Sequence, residues 1–261
     1  MLALVVASYL LIVPSTFHRG VSISCSRKLC SSDPEGSSAQ LTEQTILNPL
    51  MAYNLGKHGY VILDDFIQDR ATLEQLSSDV ETLRTEGRFR QARVGLSTEL
   101  NSNIRIAENC FLHNRRQDAY PNIAREATLE RLVQLRNELS HLSGEILDPE
   151  LDDLLYVYYP NGGFYARHVD ATPGTTTVLR KFSILLYLNT NDWSNDMGGQ
   201  LRLFVKDTLI DVLPIGGRLV IFESDRIAHQ VVETNQPRLV LVGWFNRPPT
   251  DDEMVEFVGM K

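Results

Sequence analysis

Three residues of this chain have the chemistry and the spacing to hold one divalent cation. His168 and Asp170 stand two positions apart in a predicted strand, 164–170, and the two-residue period of a strand sends both side chains to the same face. His229 begins another predicted strand 61 residues later (229 minus 168). Two imidazoles and one carboxylate form the facial set that suits iron(II) with open positions, whereas a closed structural zinc site uses four protein ligands. The alternative is that all three side chains make ordinary hydrogen bonds near strand ends.

The position of Arg238 predicts a second binding site, for an organic anion. It lies in the apolar run 237–245, where a buried guanidinium is costly unless something anionic meets it. The planar fork of arginine suits bidentate pairing with a carboxylate. The alternatives are an internal aspartate or glutamate partner, or an outward position on an edge strand. Tyr159 and Tyr187 lie in strands expected to line the same cavity, and either hydroxyl could bond the anion, although buried tyrosines with one satisfied hydroxyl are common.

The elements that must position these residues are mainly strands. After residue 152, short apolar or alternating runs are separated by Gly, Pro, Asn and Asp, which is typical of an antiparallel sandwich or barrel. Eight such runs are found, at 154–159, 164–170, 181–188, 200–204, 209–213, 218–222, 229–232 and 238–245. The predicted fold is α+β and mainly β, a double-stranded β-helix, or jelly roll, with helices packed against one sheet.

Helical periodicity precedes the strands. Apolar residues at helical spacing predict helices over 41–55, 73–83 and 122–147, the second of them ending near Gly87, and YVILDDF predicts a strand over 60–66. Segment 88–118 is polar and weakly periodic, with one short strand candidate near Ile104, and is expected to form loops over the core. We therefore expect one catalytic domain over 39–261, with a helical part at 39–150 and the jelly roll at 151–247.

Residues 1–38 have the composition of a targeting leader followed by a linker. The apolar run 2–13 is shorter than the roughly 20 residues that cross a bilayer, so no stable membrane anchor is expected. The Ser-rich, basic stretch after it resembles a transit peptide, and DPEGSS at 33–38 is typical of a linker. Secretory or plastid targeting follows from this interpretation. The alternatives are a disordered leader or a misplaced start codon on a cytoplasmic protein.

Composition limits the classes of function. The chain has 261 residues, 25 basic and 33 acidic, and a formal net charge of -8, which argues against general binding of nucleic acid or other polyanions. Of the three cysteines, only Cys110 falls in the expected domain, so no disulfide framework holds that domain together. Cys110 is expected to be a buried or idle thiol and is a poor candidate for a fourth metal ligand.

Six short blocks surround the candidate residues: YYPNGGFYARHVD (158–170), KFSILLYLN (181–189), GGQLRLF (198–204), IGGRLVIFES (215–224), HQV (229–231) and PRLVLVGWF (237–245). In this order they resemble the prolyl 4-hydroxylase-like 2-oxoglutarate and iron(II) dioxygenases, including the oxygen-sensing prolyl hydroxylases and their bacterial relatives. The likeness spans about residues 47–245.

The resemblance implies roles for individual residues. Iron would be held by His168, Asp170 and His229, the far carboxylate of 2-oxoglutarate by Arg238 and Tyr187, and Tyr159 would lie near this cosubstrate. Three further residues match positions around the target proline of the oxygen-sensing enzymes: Tyr165, Arg180 and Trp244. From the residues alone, these three would be a strand aromatic, a surface cation and a core indole.

The resemblance also implies an activity. Such enzymes use O2 to convert 2-oxoglutarate to succinate and CO2 while hydroxylating a prolyl residue of a protein or peptide, often with ascorbate to keep the iron reduced. Asp170 stands where related halogenases have lost the carboxylate, which favours hydroxylation. Val242 stands where the sensing enzymes have a hydroxyl residue, so oxygen sensing is not implied.

Two other hypotheses remain at this point. One is hydroxylation of a free amino acid or another small molecule, which a pocket closed by residues 88–118 would favour, whereas an open groove would favour a peptide. The other is a catalytically silent jelly-roll binding module, because a fold alone does not confer activity.

Overall fold

The computed structural model describes residues 45–93, 100–112, 122–151 and 153–254. The expected leader and linker, residues 1–38, lie outside the described residues, as do the first residues of the helix predicted at 41–55. Within the described ranges, the helices are all too short or too polar to cross a bilayer.

The first helix, α1 (Pro49–His58), starts later than the sequence pattern predicted. The side chain of Asn48 accepts a hydrogen bond from the backbone N–H of Met51 at 2.9 Å, and the proline that follows has the fixed φ of a first helical turn. Residues 45–48 are therefore not helical, although periodicity alone had included them. As predicted, Gly59 ends the helix, and its φ of 82° is a left-handed conformation that favours glycine.

Two longer helices complete the helical layer. Helix α2 (Arg70–Thr85) begins after Asp69, whose carboxylate accepts from the backbone N–H groups of Ala71 and Thr72. Helix α3 (Ile123–Ser143) begins after Asn122, which caps Arg125 in the same way. Both helices confirm the predicted segments, and α3 ends four residues before the predicted end at 147, where Gly144 adopts a left-handed conformation.

Twelve strands are found in the described part of the chain. They are β1 (Tyr60–Leu63), β2 (Arg90–Gln91), β3 (Arg105–Ile106), β4 (Glu108–Phe111), β5 (Leu154–Tyr159), β6 (Phe164–His168), β7 (Arg180–Tyr187), β8 (Leu201–Val205), β9 (Thr208–Val212), β10 (Leu219–Glu223), β11 (Ala228–Val231) and β12 (Arg238–Asn246). One sheet has the order β1-β10-β7-β12-β5-β4-β2 and the other β3-β6-β11-β8-β9, with antiparallel pairing throughout. This confirms the predicted jelly roll.

Three details of the strand prediction are wrong. Strand β1 ends at Leu63, three residues before the predicted end at 66. Strand β6 ends at His168, so Asp170 lies two residues beyond the strand instead of inside it. Segment 88–118 contributes three short strands among its described residues, β2, β3 and β4, where one was predicted. Strands of two to four residues are too short to show a period of two, so the sequence pattern could not reveal them.

The seven-stranded sheet separates two apolar layers. Along β7, Ile184 and Leu186 face the helices and pack with residues such as Leu132, whereas Leu185 and Tyr187 face the second sheet. Alternation of this kind fills both sides of the sheet with side chains from one strand. The helices therefore buttress one sheet, as predicted, and the space between the two sheets is left for the site.

Candidate active site

The structure brings the three predicted metal ligands together between the sheets. His168, at the end of β6, lies directly opposite His229 on β11, and Asp170 follows two residues after β6. One ligand atom from each residue lies within 4.8 Å of the other two. Nε2 of His168 is 3.4 Å from Oδ1 of Asp170, and Nε2 of His229 is 3.7 Å from Oδ2. Metal bonds of about 2 Å place ligand atoms at such separations, so this cluster, the triad, fits an iron site.

Backbone carbonyls orient both imidazoles of the triad. Nδ1 of His168 donates to the carbonyl oxygen of Ala166 at 2.8 Å, and Nδ1 of His229 donates to that of Ile227 at 3.2 Å. These bonds place the protons on Nδ1 and leave Nε2 of each ring able to bind a metal. The ring of Tyr165 stacks on His168 with centroids 3.7 Å apart, which restricts that imidazole further.

Hydrogen bonds and charge keep the carboxylate of Asp170 ionised. The hydroxyl of Ser183 donates to its Oδ2 at 2.7 Å, and the hydroxyls of Ser183 and Ser224 are 2.8 Å apart. Burial would raise the pKa of Asp170, but His229, His168 and Ser183 together hold it well below its usual value. Burial also lowers the pKa of His229 to about 4, against the opposing effect of Asp170. The site thus presents a carboxylate and a neutral imidazole, which are the forms that bind metals.

Arg238 is fully buried, and its charge has no carboxylate partner among the described residues. Its Nε donates to the carbonyl oxygen of Gly199 at 2.8 Å, whereas Nη1 and Nη2 have no hydrogen-bond partner in the described structure. Strand β12 lies between β5 and β7, so Arg238 is not on an edge strand. Both sequence alternatives for Arg238, an internal acidic partner and an edge position, are therefore wrong for the described residues.

Two tyrosines surround this guanidinium. Cζ of Arg238 is 4.9 Å from the ring centre of Tyr159 and 5.1 Å from that of Tyr187. The hydroxyl of Tyr187 also lacks a partner among the described residues, and burial raises its pKa to about 12 although Arg238 opposes this. We call these three residues the anion pocket, because its open groups are a guanidinium fork and a protonated hydroxyl, both donors to a carboxylate.

A cavity of about 860 Å³ has the triad on its wall. Tyr159 also lines it, together with apolar residues such as Val231 and Val242. Strand β7 lines it through Leu185, and Tyr187, two residues later, is fully buried beside Arg238. The anion pocket therefore adjoins the cavity through Tyr159.

The three residues matched to positions around a target proline all line the cavity. Tyr165 lies on β6, Arg180 begins β7, and Trp244 lies on β12. Arg180 is not a surface cation: Nη2 binds Asp153 at 2.8 Å and Cζ lies 3.5 Å from the centre of the Trp244 ring. Nε1 of Trp244 is buried with no acceptor in the described structure, so it is a donor within this wall.

Sequence reasoning missed the serines and one arginine of the site. Ser183 and Ser224 are fully buried, and Ser183 is a polar residue inside the apolar run 181–188, which is a signal that could have singled it out. Arg105 lines the cavity from the two-residue strand β3, and its polar surroundings carried no such signal.

Comparison with known proteins agrees with this geometry. Residues 154–246 match the family model of the 2OG-Fe(II) oxygenase superfamily. The matched stretch runs from β5 to β12 and contains the triad and the anion pocket. This superfamily uses Fe(II), 2-oxoglutarate and O2.

Solved structures of prolyl hydroxylases are similar to this chain. A prolyl-4-hydroxylase from Pseudomonas putida has a TM-score of 0.65 at 28% identity, covering 77% of this chain and 98% of that chain. A prolyl hydroxylase from Trichoplax adhaerens, in complex with a peptide fragment of the hypoxia inducible factor oxygen degradation domain, has a TM-score of 0.67 at 23% identity, covering 81% and 91%. A prolyl 4-hydroxylase from Phytophthora capsici has a TM-score of 0.61 at 22% identity, covering 81% and 70%.

The last two likenesses establish the fold, and the first adds sequence similarity over most of both chains. They agree with a family match that covers every residue of the triad. Residues 154–246 thus form a 2OG-Fe(II) oxygenase domain, and this chain is an oxygenase that resembles the prolyl 4-hydroxylases.

Proposed function

We propose that this chain hydroxylates prolyl residues of a protein or peptide, with Fe(II) held by the triad and 2-oxoglutarate by the anion pocket. The observation that carries the proposal is the fully buried guanidinium of Arg238, whose Nη atoms have no partner among the described residues. An unpaired buried charge is costly, so it persists where a ligand satisfies it. A dicarboxylate with a metal-chelating 2-oxo acid at one end suits a pocket that adjoins three metal ligands.

In this proposal the triad supplies one face of an octahedral site. His168, Asp170 and His229 would occupy three positions and leave three neighbouring ones for the cosubstrate and O2. Iron(II), when bound, supplies the redox chemistry that couples decarboxylation of 2-oxoglutarate to hydroxylation of the substrate. The protein fixes the ligands through the carbonyls of Ala166 and Ile227 and the hydroxyl of Ser183. Ascorbate would keep the metal reduced.

The anion pocket would fix the far end of 2-oxoglutarate. The Nη1 and Nη2 donors of Arg238 and the protonated hydroxyl of Tyr187 would bind its far carboxylate. The neighbouring walls are apolar, with Val240 and Leu185 among the buried residues between the sheets. A dry wall strengthens the charge-assisted bonds and keeps bulk water from the reacting centre.

Prolyl hydroxylation is supported by the aromatic side chains of the cavity wall and by similarity. Tyr165 and Trp244 present rings to the cavity, a surface that suits a pyrrolidine ring, and Arg180 is fixed against Trp244. The prolyl-4-hydroxylase from Pseudomonas putida is 28% identical over most of both chains. These features favour a prolyl substrate over the free small molecule that the sequence left open.

The test combines two products of one reaction. The purified chain is incubated with Fe(II), 2-oxoglutarate, ascorbate, O2 and a panel of proline-containing peptides; succinate release and the gain of one oxygen atom at proline are measured by mass spectrometry. We expect both products from the wild type and neither from His168→Ala. Equal succinate release from the two proteins would remove the enzyme interpretation. Oxygen gained by a free amino acid and by no peptide would replace the prolyl substrate.

A further inference from the structure

The wall of the cavity is strongly basic, although the chain as a whole is acidic. Five arginines line the cavity, namely Arg88, Arg90, Arg93, Arg105 and Arg180. Among the described lining residues, Asp170 alone is acidic, and it belongs to the triad. The chain has 25 basic and 33 acidic residues, so this local excess of positive charge is opposite in sign to the rest of the protein. Positive charge in a cavity attracts and selects anions.

Three of these arginines have no carboxylate partner among the described residues. They are Arg90, Arg93 and Arg105, which we call the arginine wall. Elsewhere in the described chain many arginines do pair with a carboxylate; Arg70, Arg202 and Arg247 each bind a glutamate or an aspartate. The arginine wall therefore keeps its charge available to a ligand in the cavity.

Arg105 connects this wall to the triad. It lies opposite Tyr165 in the β3–β6 pair, with Cζ 4.5 Å from the centre of the Tyr165 ring, and that ring stacks on His168. Its Nε is buried and has no hydrogen-bond partner in the described structure. A carboxylate bound to Arg105 would thus lie one aromatic ring away from a metal ligand.

Arg90 supplies charge from the other sheet, and Arg93 follows two residues after the end of β2. Arg90 is in β2, at the edge of the seven-stranded sheet, whereas Arg105 is in β3, at the edge of the five-stranded sheet. Both Arg90 and Arg93 are exposed, and Arg90 uses Nη1 for backbone carbonyls, including that of Phe89 at 2.8 Å. These three cations carry more positive charge than one small acid can neutralise. A peptide with several carboxylates can pair with all three.

We propose that the substrate of this oxygenase is an acidic segment, with aspartate or glutamate side chains close to the hydroxylated residue, and that the arginine wall binds those carboxylates. The inference rests on the proposed function for the reaction at the triad. It assigns the arginine wall to the substrate and not to 2-oxoglutarate, because the anion pocket already offers a guanidinium and a hydroxyl to that dicarboxylate.

The test measures binding apart from turnover. Two short fluorescein-labelled peptides have a central proline; one has Asp and Glu on both sides of it, and the other has the matched Asn and Gln. The affinity of each peptide for the full chain is measured by fluorescence anisotropy in the presence of Mn(II) and 2-oxoglutarate. We expect the acidic peptide to bind at least about tenfold more tightly, and the preference to shrink as NaCl screens the charges. In the triple variant, Arg90→Gln/Arg93→Gln/Arg105→Gln, the preference for the acidic peptide should fall to about twofold or less. Arg105→Lys alone should retain most of it.

The matched control is Arg131→Gln, which removes one positive charge outside the cavity. Arg131 is exposed on α3, where Cζ lies 5.0 Å from the Phe66 ring, and no carboxylate pairs with it in the described structure. We expect its preference for the acidic peptide to equal that of the wild type. Equal binding of the two peptides by the wild type would overturn the inference, as would an equal loss of preference in Arg131→Gln.

Two further readouts separate this inference from the proposed function. If the KM for 2-oxoglutarate rises in the triple variant while the preference for the acidic peptide stays, the arginine wall serves the cosubstrate and the inference is overturned. Free glutamate competing as well as the acidic peptide would also overturn it. If the acidic peptide binds selectively but is never hydroxylated, the proposed function fails while the acidic specificity stands.

Discussion

Two aspartates of this protein are equally buried and have opposite surroundings. The side chains of Asp79, on α2, and Asp170, after β6, are each 9% exposed. Asp79 lies under the helical layer, where Nη1 of Arg125 is 3.2 Å from one oxygen and the hydroxyl of Tyr156 donates to the same oxygen at 2.9 Å. Burial and the Asp79 charge raise the pKa of Tyr156 well above its usual value, so that hydroxyl stays a donor. Asp170 instead faces two imidazoles that a metal would share.

The difference extends to the two faces of the seven-stranded sheet. Beneath the helices, buried polar groups are paired with one another. Between the sheets, Arg238, Tyr187 and Trp244 keep buried donor atoms with no partner among the described residues. Unpaired buried donors destabilise a fold, so their concentration next to the triad indicates a region built for ligands at some cost in stability. Substitutions on the two faces should therefore separate stability from binding.

The largest expected effect is on metal binding by Asp170→Ala. Removing the carboxylate leaves two imidazoles, so affinity for Mn(II) or Fe(II) should fall at least about a thousandfold, roughly 4 kcal/mol. Without metal, the free energy of unfolding should fall by about 1 to 2 kcal/mol, because the Ser183 bond is lost and the desolvation cost that disappears offsets only part of that loss. Isothermal titration with Mn(II) and urea unfolding of the apoprotein measure the two quantities.

Asp79→Ala should lower the free energy of unfolding strongly and leave metal affinity almost unchanged, which is the opposite of Asp170→Ala. It removes an acceptor from both Arg125 and Tyr156 in a buried site, and breaking such a pair costs about 3 kcal/mol or more of unfolding free energy. Metal affinity of the folded protein should change by less than about twofold, since the site is remote. Urea unfolding and the same titration check this, with Tyr156→Phe as a milder control. If Asp79→Ala and Asp170→Ala destabilised the fold equally, the contrast between the two aspartates would be wrong.

The sequence pattern predicted the strands better than it predicted what lies between them. All eight strands expected after residue 152 are present, with no boundary off by more than two residues, because Gly, Pro, Asn and Asp separate the short apolar or alternating runs. The spacing of His168, Asp170 and His229 correctly indicated that they would meet. Placing Asp170 inside the strand was wrong, since β6 stops at His168 and a bend follows.

Other features depend on contacts that no local pattern carries. The hydrogen bond from Ser183 to Asp170 joins residues that are 13 positions apart, one on β7 and the other just after β6. It became visible only in the fold. Strands β2 and β3 have two residues each, so the position of Arg105 against Tyr165 had no periodic signal.

A comparison of two buried arginines sharpens the contrast further. Arg238→Met should weaken 2-oxoglutarate binding about a hundredfold, roughly 2.7 kcal/mol, because it removes the unpaired Nη donors. The free energy of unfolding should stay equal or rise by up to about 2 kcal/mol, since an unpaired buried charge is replaced by an apolar chain of similar volume. Titration with 2-oxoglutarate in the presence of Mn(II), and urea unfolding without ligands, measure these changes.

Its matched control is Arg136→Met under the helical layer. Arg136 is 7% exposed, and its Nη atoms donate to the carbonyl of Asp148 at 2.8 Å and to Asn137 at 2.7 Å. Losing these bonds should destabilise the fold by about 1 to 3 kcal/mol and leave 2-oxoglutarate binding unchanged. A destabilised Arg238→Met with normal affinity for 2-oxoglutarate would show that Arg238 is structural and would contradict the anion pocket.

The smallest effect expected is from Ser183→Ala. Its hydroxyl donates to Oδ2 of Asp170, the oxygen nearer to His229, so Ser183 acts as a positioning residue for the carboxylate. Losing this bond should weaken metal binding about tenfold, roughly 1.4 kcal/mol, with all three ligands still present. Ser224→Ala, which keeps the Ser183–Asp170 bond, should change metal affinity by less than about threefold. Titration with Mn(II) distinguishes the two serines: equal effects would mean that the pair acts only through packing, and Asp170 would then be oriented by its backbone alone.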